Sequence, residues 1–235
     1  MQKKLQNNIE FFQKNGYVII EDIYTPEECD LIINSAHGIL GQSNKDLTPL
    51  MNIHKGSNEV QNFMAKNELI EFIENFFEGK ALGLQTEFFF MPPKTIGFNP
   101  HQDNTYVNAT PNSFVSAWCA LTDIDESNGG LIIWPGTHLK GQLKTEVTGL
   151  PKSENQDPNA VLKKTIIPKE FKSKNIRIKK GSILMIHSWL VHASNINNSN
   201  FNRYVLLCTY LKQYSDFRSG EYARREPFKL IYKNQ

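Results

Sequence analysis

Residues 113–124 read SFVSAWCALTDI. The run is rich in strand-favouring side chains, and turn-forming residues flank it on both sides. Outward from it, four further runs share the pattern: LQTEFFFM (84–91), GGLIIWPG (129–136), NIRIKKGSILMIHSW (175–189) and NRYVLLCTYLK (202–212). Short β-rich runs separated by turns predict a sandwich, barrel or jelly roll, not alternating β-α units.

Before residue 82 the pattern is helical. Leu5, Ile9 and Phe12 fall near helical period, and Gly16 is a stop. Tyr17–Tyr24 reads as a short strand. Thr25 is the expected N-cap of a following helix, with Pro26 at the first helical position and Glu28 at the capping-box position. A further helix is expected over Asn67–Gly79, with Leu69, Ile70, Ile73, Phe76 and Phe77 on one face. Lys140–Lys174 is polar and lysine-rich, carries Pro151, Pro158 and Pro168, and lacks periodicity. It reads as a long surface loop, either a lid or a solvated insertion.

The 235 residues fit one domain with a real core. A formal net charge of +2 makes no bulk case for nucleic acid. Cys29, Cys119 and Cys208 are odd in number and widely spaced, which suits a reducing compartment and neither a disulfide framework nor a zinc site. The N-terminus has no apolar core of a secretory signal, and no apolar run approaches the length of a bilayer span. The expectation is a cytoplasmic protein, monomer or homodimer, with a small-molecule substrate, no nucleic acid partner and no membrane.

The chemistry-bearing stretch is FNPHQDNTYV, residues 98–107. His101 and Asp103 lie two apart, and on an extended segment both point the same way. A 2-His-1-carboxylate triad needs one more histidine from a neighbouring strand. His37 and His54 are read as structural or surface residues, and His138 closes a turn. His187 and His192, in GSILMIHSWLVHASN, both remain candidates. Arg203 follows His192 in a β-prone run. An arginine inside a barrel needs an anion, because an unpaired buried charge is costly. The far carboxylate of 2-oxoglutarate is such an anion, and a planar guanidinium suits it better than an ammonium.

Three ordered blocks resemble the phytanoyl-CoA dioxygenase family of Fe(II)/2-oxoglutarate-dependent oxygenases. They are FFQKNGYVIIEDIYTPEECDLI, then HQD with AWCALTDIDESNGGLIIWPGTHLKG, then GSILMIHSWLVHASNINNSNFNRYVL. The resemblance implies a mainly β fold with flanking helices: a double-stranded β-helix, the cupin-like jelly roll. It implies one dioxygenase domain over 1–235, with a mainly helical part at 1–80 and a jelly-roll core at 82–215. It chooses His192 over His187, so that His101, Asp103 and His192 form the catalytic metal site. It gives Arg203 and Ser194 to the distal carboxylate of 2-oxoglutarate, and sets Trp118 and Gln102 near that co-substrate. Fe(II), 2-oxoglutarate and O2 are the implied cofactor and co-substrates. The implied reaction is hydroxylation of a small metabolite or biosynthetic intermediate, with release of succinate and CO2. Halogenating relatives lack the carboxylate that Asp103 supplies, which favours hydroxylation. The competing expectation is a catalytically silent metal-binding jelly roll that serves as a ligand sensor or scaffold.

Overall fold

A computed structural model of the chain describes residues 2–40, 49–148, 163–221 and 223–231. Helix α1 (Gln2–Asn15) buries Ile9 and Phe12. It ends at Gly16, whose φ of +81° lets its N–H reach the Phe12 carbonyl at 2.7 Å. Strand β1 (Tyr17–Ile20) is shorter than the sequence pattern suggested, because Asp22 turns into the left-handed region. Helix α2 (Pro26–Leu40) opens on the anticipated capping box. The Thr25 N–H donates to Glu28 Oε2 at 2.8 Å, and the Glu28 N–H donates to Thr25 Oγ1 at 3.2 Å. Two more helices, α3 (Asn58–Met64) and α4 (Asn67–Phe77), complete the helical layer. Helix α3 was not anticipated, being too short to show a period.

The strands are β2 (Leu50–Met51), β3 (Ala81–Met91), β4 (Phe114–Ala120), β5 (Leu131–Trp134), β6 (Thr145–Val147), β7 (Lys163–Thr165), β8 (Lys174–Asn175), β9 (Ile183–His187), β10 (Val191–Ser194), β11 (Arg203–Lys212) and β12 (Phe228–Lys229). Among the described residues the larger sheet runs β1-β9-β4-β11-β3-β12, with β2 also on β3. The smaller sheet runs β10-β5-β8, and every pairing is antiparallel. This is the jelly roll expected, with the helices on its outer face.

Two cores explain why β4 is buried along its whole length. Val115, Ala117 and Cys119 point outward, under Phe12, Ile32 and Phe72 of the helices. Trp118 and Ala120 point inward, against Ile133 and Ile176 on the smaller sheet's side. Register then builds two rows on the inner face. Gln85, Thr209 and Ser116 are opposed across β3, β11 and β4, and so are Glu87, Leu207 and Trp118. These rows form the floor of the site.

The segment 140–174 is not the uniform loop that its composition suggested. Strands β6 and β7 pair with each other, and the Thr165 N–H donates to the Pro100 carbonyl at 2.7 Å. Both strands are largely exposed, so no apolar alternation marks them in the sequence. Residues 149–162, the middle of that stretch, lie outside the described residues. Among the described residues, no helix is long and apolar enough to cross a membrane.

Candidate metal and co-substrate site

The segment before HQD lies along β10. The Phe98 N–H donates to Ser194 Oγ at 2.8 Å, and the His101 and His192 main chains exchange bonds of 2.9 and 3.0 Å. That bridge sets the two imidazoles side by side, with ring centroids 4.2 Å apart. Asp103 then arrives by a route the sequence argument did not foresee. Its backbone is right-handed helical (φ −57°, ψ −38°), just ahead of helix α5 (Asn104–Val107). A strand-to-helix turn, not an extended i, i+2 pair, brings its carboxylate back to His101. Asp103 Oδ1 lies 3.6 Å from His101 Nε2 and 3.4 Å from His192 Nε2.

The three donor atoms lie within 4.8 Å of one another, and among the described residues they form the one such cluster. The secondary contacts suit a metal. His101 Nδ1 is 2.8 Å from the Asn99 carbonyl and His192 Nδ1 is 3.1 Å from the Leu190 carbonyl. Each Nδ1 therefore carries the proton, and each Nε2 lone pair faces Asp103. Burial, with His192 alongside, pulls the His101 pKa down to about 4, which keeps the ring neutral at ordinary pH. Ser116 Oγ donates to Asp103 Oδ2 at 2.6 Å, which leaves Oδ1 directed at the histidines. Sequence reasoning missed Ser116, although its i, i+2 relation to Trp118 was a usable signal.

Arg203, at the start of β11, is 3% exposed. Its Nη1 donates to the Gly129 carbonyl at 2.6 Å, and its Cζ sits 5.5 Å from the Trp118 ring centroid. Nε has no partner, and no carboxylate of the described residues pairs with the guanidinium. Burial draws its pKa down to about 9, so it stays charged at neutral pH. A buried, charged fork lacking a counter-ion is fitted to a carboxylate ligand. The N, N, O donor set likewise suits a divalent iron centre with open positions.

The other candidates fall as follows. The Ser194 hydroxyl accepts from Phe98 and keeps its proton to donate. Gln102 is fully buried, and its Nε2 donates to the Gly141 and Trp189 carbonyls at 2.9 and 2.6 Å. Its Oε1 accepts from the Leu143 N–H at 2.9 Å. Both amide protons are thus committed to main chain. His187 is 3.1 Å from Asn112 Oδ1 and accepts from the Trp189 N–H at 3.2 Å, away from the triad. His138 Nε2 meets the Gln13 carbonyl at 2.9 Å. Asn104 is fully buried, and its amide is bonded to Ala109.

Gly97 is required at its position. A Cβ there would lie 2.1 Å from the Ser194 carbonyl oxygen, inside the pairing that aligns His101 with His192. Gly97→Ala is expected to cost about 1–3 kcal/mol of stability and to weaken metal binding as well. Gly181→Ala clashes equally, at 2.1 Å, but with the Tyr24 carbonyl. It should lose stability at unchanged metal affinity. Denaturant midpoints and an anaerobic Fe(II) titration of both variants separate the effects.

The profile of the phytanoyl-CoA dioxygenase (PhyH) family matches residues 12–205. The peroxisomal phytanoyl-CoA dioxygenase of Bos taurus is 26% identical over 230 residues, a match covering 85% of this chain and 66% of that protein. The phytanoyl-CoA dioxygenase of Arabidopsis thaliana is 24% identical, covering 84% of this chain and 85% of its own. Among solved structures, the epimerase SnoN in complex with Fe3+, alpha ketoglutarate and nogalamycin RO superposes with a TM-score of 0.75 at 16% identity, over 98% of this chain and 97% of that one. EctD from S. alaskensis with bound Fe gives 0.67 at 18% identity, over 88% and 76%. At these identities the structural likenesses establish the shared fold.

Proposed function

The chain belongs to the phytanoyl-CoA dioxygenase family of iron- and 2-oxoglutarate-dependent enzymes, and from that premise we propose that it hydroxylates an unactivated C–H bond of a small metabolite or biosynthetic intermediate. Succinate and CO2 are the co-products in this reading. The observation that carries it is Arg203, a buried guanidinium without a carboxylate partner, linked through Trp118 and Ser116 to the His-Asp-His cluster.

The roles are these. His101 Nε2, His192 Nε2 and Asp103 Oδ1 hold Fe(II). Arg203 receives the far carboxylate of 2-oxoglutarate, and the Ser194 hydroxyl donates to the same group. Trp118 covers the guanidinium and keeps water off it. Gln102 braces the HQD turn against residues 141–143 and Trp189, so its effect on the co-substrate is one of positioning. When bound, Fe(II) with 2-oxoglutarate and O2 supplies an oxidative decarboxylation that delivers one oxygen atom to the substrate. The protein holds the substrate C–H in place and excludes water.

Residues 1–235 act as one catalytic domain, with the helical part packed on the jelly roll through a shared core. The protein works as a monomer or homodimer, without a nucleic acid partner. Its three cysteines are free and buried, which suits the cytoplasm.

The test is a visible spectrum of the apo-protein with Fe(II) and 2-oxoglutarate in the absence of oxygen. A metal-to-ligand charge-transfer band is expected in the wild type and not in His192→Ala. A folded, iron-loaded wild type without the band would defeat this reading and favour a silent jelly roll.

A further inference from the structure

The last described segment of the chain is not a solvated tail. Arg218 reaches helix α5, donating from Nε and Nη2 to the Tyr106 carbonyl at 3.1 and 2.6 Å and from Nη2 to the Thr105 carbonyl at 3.0 Å. Beyond it, Gln85 Nε2 donates to the Ala223 carbonyl at 2.7 Å, and Lys55 pairs with Glu226 at 2.6 Å. Phe228 stacks on His54, with centroids 4.6 Å apart, and its ring fills the notch left by Gly83. Strand β12 then closes on β3.

This strap is anchored on the floor of the candidate metal site through Gln85. Gln85 shares its row with Ser116, the residue bonded to Asp103. Two strand spacings of about 4.8 Å put Gln85, the residue that holds Ala223, roughly 10 Å along the floor from Ser116. Arg225 follows two residues later. Its N–H donates to the Ser219 carbonyl at 2.8 Å, and its Nη1 lies against the 218–220 turn, 3.4 Å from the Arg218 carbonyl. Among the described residues that weak contact is its one side-chain hydrogen bond, and no carboxylate lies within ion-pair distance.

We propose that Arg225 binds an oxyanion group of the substrate, a carboxylate or a phosphate, and so makes the enzyme selective for anionic substrates. This rests on the reading of His101, Asp103 and His192 as the metal centre. Charge supports it. Among the described residues, the groups within electrostatic reach of Arg225 include Glu87, Arg218 and Asp103. Asp103 is committed to the metal. Arg218 is bonded to neutral carbonyls and not to a carboxylate. Among the described residues, Glu87 is then the other acidic group in reach of Arg225. Partial burial and Arg218 lower the Arg225 pKa, a penalty that an arriving anion relieves. Leu207 and Trp118, beside Glu87 on the floor, give an apolar bed for the rest of the molecule.

The test uses four probes of one chain length: octanoate, octyl phosphate, octanamide and octanol. Each is titrated calorimetrically into the full chain loaded anaerobically with Fe(II) and 2-oxoglutarate. At least one anion should bind about tenfold or more tightly than the neutral probes, and the better anion identifies carboxylate or phosphate. Arg225→Gln should remove that preference while keeping the strap, since the main-chain bond to Ser219 survives. Arg224→Gln, on an exposed side chain, should retain it. No preference in the wild type, binding of no probe included, overturns the proposal, as does a preference that survives Arg225→Gln. The visible band before any probe is added reports separately on the metal and co-substrate reading. A band without anion preference sinks Arg225 alone, whereas no band sinks the proposed function and, with it, the selectivity built on that centre.

Discussion

Arg203→Ala is expected to raise the 2-oxoglutarate concentration for half-maximal turnover steeply, with a smaller change in kcat at saturation. Truncating one partner of a buried, hydrogen-bonded charge pair costs about 2–5 kcal/mol, or about 30-fold to several thousand-fold in affinity. The upper half of that range applies here, because the guanidinium is almost wholly buried and water cannot replace it. Arg203→Lys should fall between. An ammonium keeps the charge but cannot present two parallel N–H groups to a carboxylate, and burial deprotonates a lysine more readily. A purely structural arginine would behave otherwise. It would hold the Gly129 carbonyl, and its loss would lower stability at unchanged co-substrate affinity. Titrating 2-oxoglutarate against the anaerobic band, with thermal unfolding in parallel, distinguishes the outcomes. An unchanged titration midpoint would remove the co-substrate from this site.

The clustering of His101, Asp103 and His192 and the burial of Arg203 were legible in the sequence because the chemistry expected of them tolerates few residue types. The way the chain delivers them was not. An extended HxD reading brings His101 and Asp103 together but misses how they meet, since Asp103 sits in a helical turn held by the buried Asn104. Gln102 lies between two polar candidates, and its burial depends on carbonyls at Gly141 and Trp189 that no local pattern announces. The helices fared well where caps and period were strong, as at Thr25 and Glu28, and the short α3 went unseen. FRSGEYARREPF has the composition of a solvated terminus, and what makes it a strap lies far off in sequence: Gln85, His54, and the space that Gly83 leaves for a ring. Long-range partners of this kind carry no signature in the segment itself.

Asp103→Ala and His187→Ala are expected to part at the metal. Removing the Asp103 carboxylate deletes one of three donors and the negative charge that offsets the cation. Loss of a partner in the outer shell alone, such as the Ser116 hydroxyl, costs about 10–100-fold in metal affinity or activity. Loss of Asp103 itself should exceed that and leave no measurable turnover. His187 is as buried as His192, so burial does not discriminate between them. Hydrogen bonding does. Both His187 ring nitrogens are engaged, by Asn112 and by the Trp189 N–H, and the ring packs on Phe12, Phe76 and His138. His187→Ala should therefore unfold about 1–3 kcal/mol more easily and bind Fe(II) as the wild type does. Anaerobic metal titration beside thermal unfolding reads both quantities in one set of samples. Metal loss in His187→Ala, with His192→Ala still loaded, would mean that the wrong histidine had been placed at the centre.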